Sequence, residues 1–534
     1  MKIIVEQIKA SNKVSNNEIF DIARARLKKT RAFSNFGEFH IYKRSIDARD
    51  KSNIKLVFSV MADVEARRGI DKDFLNKYQV KVLNNDDLEF SVTGEMPSDP
   101  PIVVGFGPCG MFSALALAKA GLKPVVIERG ADVDTRVERV NDFYKTKRLD
   151  LNTNIQFGAG GAGTFSDGKL TTGINDPKCS YVLKALHSFG APEDILYNAK
   201  PHIGTDVLRT VVKNIANEIE KLGGRIFYNT RLVSFENNIA KTTAGCFKYS
   251  SLILAIGHSA RDTYKYLLER GTAIEPKPFS VGVRVEHLRA DIDEAMYGPL
   301  ANELDLGAAS YNISHRQNNK GVYSFCMCPG GEVVAAQSEE NSVVVNGMSY
   351  NARNGRNSNS AIVVQVDRED YGSTPTSAIE FQRSIEKQAF ISAGSDYKAP
   401  MQTIGDFYLE KANCEPKRIL PTYMDGYTQV TDINKILPKF VCDYLKLGFQ
   451  KFGEKIKGFN AEDVPLTGVE TRTSAPIRIL RGANYSLLDD SNVYPGGEGA
   501  GYAGGIMSAA IDGLNIALSI LNKGIYEEYK KVER

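Results

Sequence analysis

Cysteine is scarce in this chain, with seven residues in 534. That count builds no disulfide framework and fits a reducing compartment. Net charge is almost absent. Sixty-seven Lys and Arg against 64 Asp and Glu leave +3, so overall charge singles out neither nucleic acid nor a membrane surface as a partner. No uncharged apolar run reaches about 18 residues, so no membrane-spanning helix is expected. The opening MKIIVEQIKA lacks the apolar h-region of a secretory signal, and a cytoplasmic location is expected. What remains is ordinary globular composition, 42% hydrophobic and 25% charged. The length suits two to four domains.

Residues 1–97 read as a small α+β unit. KIIVEQI, EFHIYKRSID, IKLVFSVMADV and LEFSV read as strands, and NNEIFDIARARLKK sets Ile19, Ile22, Ala23 and Leu27 near helical spacing. A ferredoxin-like sandwich is expected, followed by a linker in GEMPSDPP at 94–101. The first sixty residues carry 13 Lys or Arg and 6 Asp or Glu, and Arg24, Arg26, Lys28, Lys29 and Arg31 cluster in the helix. That cluster is either an anchor for nucleic acid or another anion, or a solvated face whose cations suit the helix C-terminus.

Glycine is abundant where it matters. In PIVVGFGPCGMFSALALAKAGLKPVVIERG (101–130), a buried strand leads into Gly105, Gly107 and Gly110 spaced G-x-G-x-x-G. An apolar helix follows, then a second strand that ends on Glu128. Gly105 permits the tight turn, Gly107 lets a pyrophosphate approach the backbone, and Gly110 lets the helix pack against the strand. The pyrophosphate sits on the helix N-terminus, and Glu128 accepts hydrogen bonds from ribose hydroxyls. A dinucleotide site is therefore expected. Cys109 suits the same close packing. Two further glycine stretches follow, QFGAGGAGTFSDGKLTTG (156–173) and YPGGEGAGYAGGIMSAA (494–510). The second reads as strand, glycine turn with one acid, then helix.

VVGFGPCGMFSALALAKAG, GGAGTFSDGKL, LILAIGHSARDTY, FCMCPGGEVVAA and YPGGEGAGYAGGI together resemble FAD-dependent oxidoreductases of the glutathione-reductase-like superfamily. More narrowly, the chain is similar to a bacterial family of FAD-dependent dehydrogenases. The resemblance implies FAD, with contacts from Gly105, Gly107, Pro108, Cys109, Gly110, Glu128, Arg129 and Arg136. It adds Gly160, Gly161, Ala162, Gly163, Thr164 and Lys169, then Val233 and Gly257. The last motif contributes Glu498, where the superfamily usually has Asp, with Gly499, Gly501, Tyr502 and Ala503 opening a helix aimed at the flavin.

The expected architecture is α/β. A discontinuous Rossmann-like FAD-binding domain occupies 98–275 and 461–534, and a mixed α+β substrate domain is inserted at 276–460. No second strand–GxGxxG–helix unit occurs, so electrons would come from a substrate, a transiently bound NAD(P)H or a protein donor. Candidate catalytic groups are Arg284 and His287 in GVRVEH, and His258 beside Arg261. Arg284 and Glu286 share a strand face and read equally as a structural ion pair. Cys326 and Cys328 stand i, i+2. A redox pair, a metal site and plain buried packing all remain open. C-x-C lacks the second pair of a zinc site, and a disulfide at this spacing is strained. The leading reading is an FAD-dependent dehydrogenase or reductase acting on a small molecule. A flavin-dependent RNA-modifying enzyme and a non-enzymatic flavin-binding protein are the alternatives.

Overall fold

The computed structural model describes residues 1–67, 72–83, 88–302 and 306–522. At the N-terminus, β1 (Lys2–Ala10), β2 (Phe39–Asp47), β3 (Lys55–Asp63) and β4 (Val80–Leu83) form an antiparallel sheet in the order β2-β3-β1-β4. Helices α1 (Asn16–Thr30) and α2 (Lys72–Tyr78) connect them, which is ferredoxin-like connectivity. Ser15 and Glu18 form a capping box at the start of α1. The helix buries Ile19, Ala23 and Leu27 and leaves Ile22 on the surface. Among the described residues, two of its five clustered cations have partners within the unit. Arg24 pairs with Asp21 at 2.7 Å, and Arg26 donates to the Glu6 carbonyl.

LEFSV, expected as a strand, pairs with no other strand among the described residues. Leu88, Phe90 and Val92 instead pack into the apolar core of the next domain, and Thr93 N–H donates to Leu521 O at 2.9 Å. Alternating side chains can be satisfied by docking on helices as well as by joining a sheet.

The next domain opens with β5 (Ile102–Val104), α3 (Pro108–Lys119), β6 (Val125–Ile127), β7 (Arg225–Phe227) and β8 (Leu252–Leu254). The chain then builds a seven-stranded sheet. Its members are β9 (Phe279–Leu288), β10 (Ser314–Gln317), β11 (Lys320–Cys328), β12 (Asn357–Val366), β13 (Ala399–Thr403), β14 (Thr428–Val430) and β15 (Pro465–Glu470), ordered β10-β11-β12-β9-β15-β13-β14. Because β15 lies inside this sheet, the inserted domain continues past residue 460, the boundary expected from sequence. The chain returns with β16 (Val493–Pro495) and α4 (Ile506–Leu521), completing a parallel sheet ordered β16-β8-β5-β6-β7.

The short strands IVV, VVI and LIL are buried throughout, as a parallel sheet covered on both faces requires. Helices α3 and α4 pack closely because small residues meet there. A β-carbon on Gly513 would lie 2.2 Å from Cys109 O, and Ser113 Oγ donates to Cys109 O and Gly513 O. The chain order reverses between β5 and β8, which leaves a crevice outside the carboxyl ends of the strands.

Candidate functional site: a glycine-lined cleft

A cavity of about 320 Å³ occupies that crevice and runs from the β5–α3 turn to the inserted domain. Three glycine-rich segments form its walls. Gly105, Gly107, Pro108 and Cys109 contribute the first, with Glu128 and Arg129 beside them. Gly161, Ala162, Gly163 and Lys169 contribute the second. Gly496, Gly497, Glu498, Gly504 and Gly505 contribute the third. Gly257 and His258 close the side next to β8.

Gly105 takes φ +99°, and a β-carbon there would sit 2.3 Å from Ala255 O. Gly107 is the N-cap of α3, with ordinary φ of −83° and no side-chain cap. The first amides of α3 therefore open towards the cleft without a protein acceptor on a side chain, as a bound anion requires. Helix α4 likewise starts behind Gly505 with no side-chain cap.

Glu128 does more than await a ribose. Its buried carboxylate accepts from Phe106 N–H (2.8 Å), Gly130 N–H (2.9 Å) and Gly158 N–H (3.0 Å). It therefore ties the fingerprint turn to the second glycine segment, and one lone-pair direction on Oε2 remains for a ligand.

Arg136, expected as a cofactor contact, lies off the cleft wall. Its fully buried guanidinium donates to five carbonyls, those of Asn154, Ile155, Gly158, Ala159 and Gly161. It shapes the second segment from behind, and burial pushes its pKa down to about 9.

Several other expected contacts also sit off the wall. Gly110 packs on Gly105 O, which would lie 1.9 Å from a β-carbon. Gly160 and Thr164 face the helix behind their loop. Val233 points outward, because strand alternation turns its neighbour Leu232 to the cavity instead. The helix expected to open at 499–503 begins at Ile506. Gly499 packs on the Gly257 backbone, and Tyr264 Oη bridges the carbonyls of both residues. Gly501 (φ +84°) packs on Ile477 O, and the Tyr502 ring lies 3.7 Å beneath the Arg481 guanidinium. Ala503 joins the helix core.

Of the three candidate catalytic groups, only His258 reaches the cavity. Its Nδ1 is 3.0 Å from Ser259 Oγ, and burial plus the Arg472 and Arg261 cations push its pKa down to about 3. It is a neutral imidazole at physiological pH. His287 is buried in the inserted domain, bonded through Nε2 to Phe459 O at 2.9 Å. Arg284 is buried under the wall. It is paired with Glu470 at 3.4 Å and donates to Cys326 O at 2.8 Å. Glu286 does not pair with it by hydrogen bond, because its carboxylate accepts from Asn357 and Thr422 instead.

Arg472, Thr473, Gln156 and Asn346, none of them expected from the sequence, also line the cavity. Arg472 comes from the end of the inserted domain. It shares Glu386 with Arg261, each as a bidentate pair. No local pattern announces such residues, since the contacts span 86 and 125 positions. Glu498 stands on the wall, and burial raises its pKa to about 7 against the opposing charge of Lys277.

FAD fits this arrangement. The cleft offers uncapped helix amides for a pyrophosphate, backbone glycines facing open space at 257, 504 and 505, and the Glu498 carboxylate as an acceptor for hydroxyls. The family model "FAD-dependent protein, C-terminal domain-like" matches residues 278–473. A protein of Clostridium beijerinckii (strain ATCC 51743 / NCIMB 8052), recorded as "Uncharacterized protein", is 46% identical over 496 residues, 90% of this chain and 92% of that one. Among solved structures, aklavinone-11 hydroxylase with FAD and aklavinone aligns at 12% identity over 80% of this chain, with a TM-score of 0.34. The alignment spans 62% of that chain's length. A mutant of halogenase PltM in complex with FAD aligns at 11% identity over 81% of this chain and 71% of that one, with a TM-score of 0.37.

Proposed function

The chain belongs to one family with the Clostridium beijerinckii relative and carries an FAD-dependent protein C-terminal domain over residues 278–473, and from that premise we propose that it is an FAD-dependent oxidoreductase of the dehydrogenase or reductase type. The observation that carries this reading is the convergence of three separate glycine segments on one cleft at the strand ends. FAD held there supplies hydride transfer to or from a small substrate. The chain's own groups divide the remaining work. Glu128 locks two glycine loops together, and the first turn of α3 offers its amides to the pyrophosphate. Glu498 accepts from ribityl hydroxyls. The neutral His258 offers a hydrogen bond but no positive charge. The inserted sheet covers the cleft and narrows what can enter.

Acid release from the purified full chain should give FAD and no FMN. Anaerobic addition of NADH, NADPH or a metabolite panel, followed by flavin absorbance in stopped flow, identifies the electron donor. A colourless chain that takes up no FAD would overturn the proposal.

A further inference from the structure

One wall of the cleft has no task in the reading above. Between Phe325 and Cys328 the pairing of β11 with β12 slips register, and Cys326 adopts φ +44°. A residue with a β-carbon enters that region only at a cost of roughly 1–2 kcal/mol. Two donors hold the turn from behind. Arg284 Nη2 donates to Cys326 O at 2.8 Å, and the Cys328 thiol donates to the same oxygen at 3.2 Å. Glu470 anchors Arg284 in turn. As a result Cys326 lines the cavity near Lys169, while Cys328 is completely buried behind it. The neighbouring Cys328 thiol and the cations of Lys169 and Arg284 hold the Cys326 thiol well below its usual range. The contact with Cys326, together with burial, pushes Cys328 up.

We propose that Cys326 and Cys328 are a redox-active dithiol of this cleft, with Cys326 attacking a small-molecule disulfide and Cys328 resolving it. The proposal rests on the flavin oxidoreductase reading, because the cofactor must regenerate the pair. The Cys326 thiolate attacks one sulfur of R–S–S–R′. The substrate S–S bond breaks, and R′S⁻ leaves and is protonated. Cys328 then gives up its proton, its sulfur attacks Cys326 Sγ, and RS⁻ leaves and is protonated. One disulfide becomes two thiols, and the two cysteines become one disulfide. Two electrons and two protons must restore the dithiol; a nicotinamide-class hydride donor and a solvent proton would supply them, with FAD held in the cleft as the relay.

The placement suits these roles. An attacking sulfur must be accessible and cation-stabilised, and its partner must stay protonated until the mixed disulfide exists. Closure across only one intervening residue is strained, which makes the bond easier to reduce, as a cycling pair needs.

The test uses the FAD-loaded full chain with its thiols reduced, treated with 2-hydroxyethyl disulfide, then unfolded in guanidinium chloride, alkylated with iodoacetamide and digested with trypsin. The fragment 321–353 contains Cys326 and Cys328 and no other cysteine. In the wild type this fragment should lose two hydrogens and carry no alkyl group. Cys328→Ser should retain one hydroxyethylthio group on Cys326, and Cys326→Ser should leave Cys328 alkylated only. Anaerobic NADH or NADPH should return the oxidised wild-type fragment to two alkylatable thiols. Retained flavin absorbance in both variants shows that the fold is intact. A doubly alkylated wild-type fragment, in protein whose exposed Cys246 and Cys414 have reacted, overturns the dithiol proposal while leaving the oxidoreductase reading standing. So does equal probe reactivity of Cys328 in Cys326→Ser. A chain that takes up no FAD overturns both.

Discussion

Two glycines of the fingerprint differ in what they tolerate. A β-carbon on Gly110 would meet Gly105 O at 1.9 Å, whereas one on Gly107 meets nothing closer than Gly161 Cα at 3.7 Å. Gly110→Ala should therefore destabilise the apoprotein by about 1–3 kcal/mol or more through overpacking. Gly107→Val should leave apoprotein unfolding near wild type yet weaken FAD binding about tenfold or more, about 1.4 kcal/mol. Paired thermal melts and FAD titrations separate the two. If Gly107→Val binds FAD normally, that turn does not face the cofactor. Glu498 has a different signature. Its folded pKa of about 7 exceeds the ordinary 4.5, so between those values the folded state holds a proton that the unfolded chain has released. Stability contributed at this position therefore falls as pH rises through that window. Each pKa unit is about 1.4 kcal/mol. Apo Glu498→Gln should thus gain about 1–3 kcal/mol over wild type between pH 5 and pH 8, while binding FAD less tightly. Glu470, also raised to about 7, adds the same slope to both proteins and cancels in the difference. An unchanged difference across pH would place the Glu498 carboxylate in water.

At the scale of elements, the first part of the FAD-binding domain and the inserted domain meet at one buried charge node. Arg261 begins the helix after β8, Arg472 follows β15, and both chelate Glu386 on the helix Pro375–Ser392. Their positive charges hold the Glu386 carboxyl well below its ordinary range. Glu386→Ala would leave two buried guanidinium groups short of an anion, a loss of about 3–5 kcal/mol. Glu269→Ala, which removes an exposed partner of Lys265, should shift stability by less than about 1 kcal/mol. Denaturant melts of the two variants measure the contrast. Equal effects would mean that solvent reaches the node. The node was not legible in the sequence, because its members are far apart in sequence and each looks alone like a surface charge.

For the whole molecule, the docking of Leu88, Phe90 and Val92 on the FAD-binding domain moves the useful cut upstream of the 94–101 linker. A chain beginning at Leu88 should fold and bind FAD as the full chain does. One beginning at residue 98 should expose the seat of those three side chains and melt earlier. Size-exclusion profiles and FAD stoichiometry of the two truncations report this directly. Equal behaviour would show that the segment adds nothing to the core. The N-terminal sandwich has its own apolar core around Ile3, Val5, Leu27 and Val60, which is why it is expected to be dispensable for the cleft.

The sequence by itself determined the dinucleotide turn, the parallel strands beside it, and the first helix and first three strands of the N-terminal sandwich. These follow from rules that act within a few residues: glycine where backbone groups nearly touch, unbroken apolar runs where a strand is covered twice, and alternation where it is covered once. Only the tertiary structure decided what each polar group does. It turned Arg136 from a cofactor contact and Arg284 from a catalytic candidate into supports, placed His287 away from the cleft and started the last helix at Ile506. It also set Cys326 and Lys169, 157 positions apart, on the same cavity. A side chain's role depends on which distant groups share its burial, and that is settled when the sheets pack.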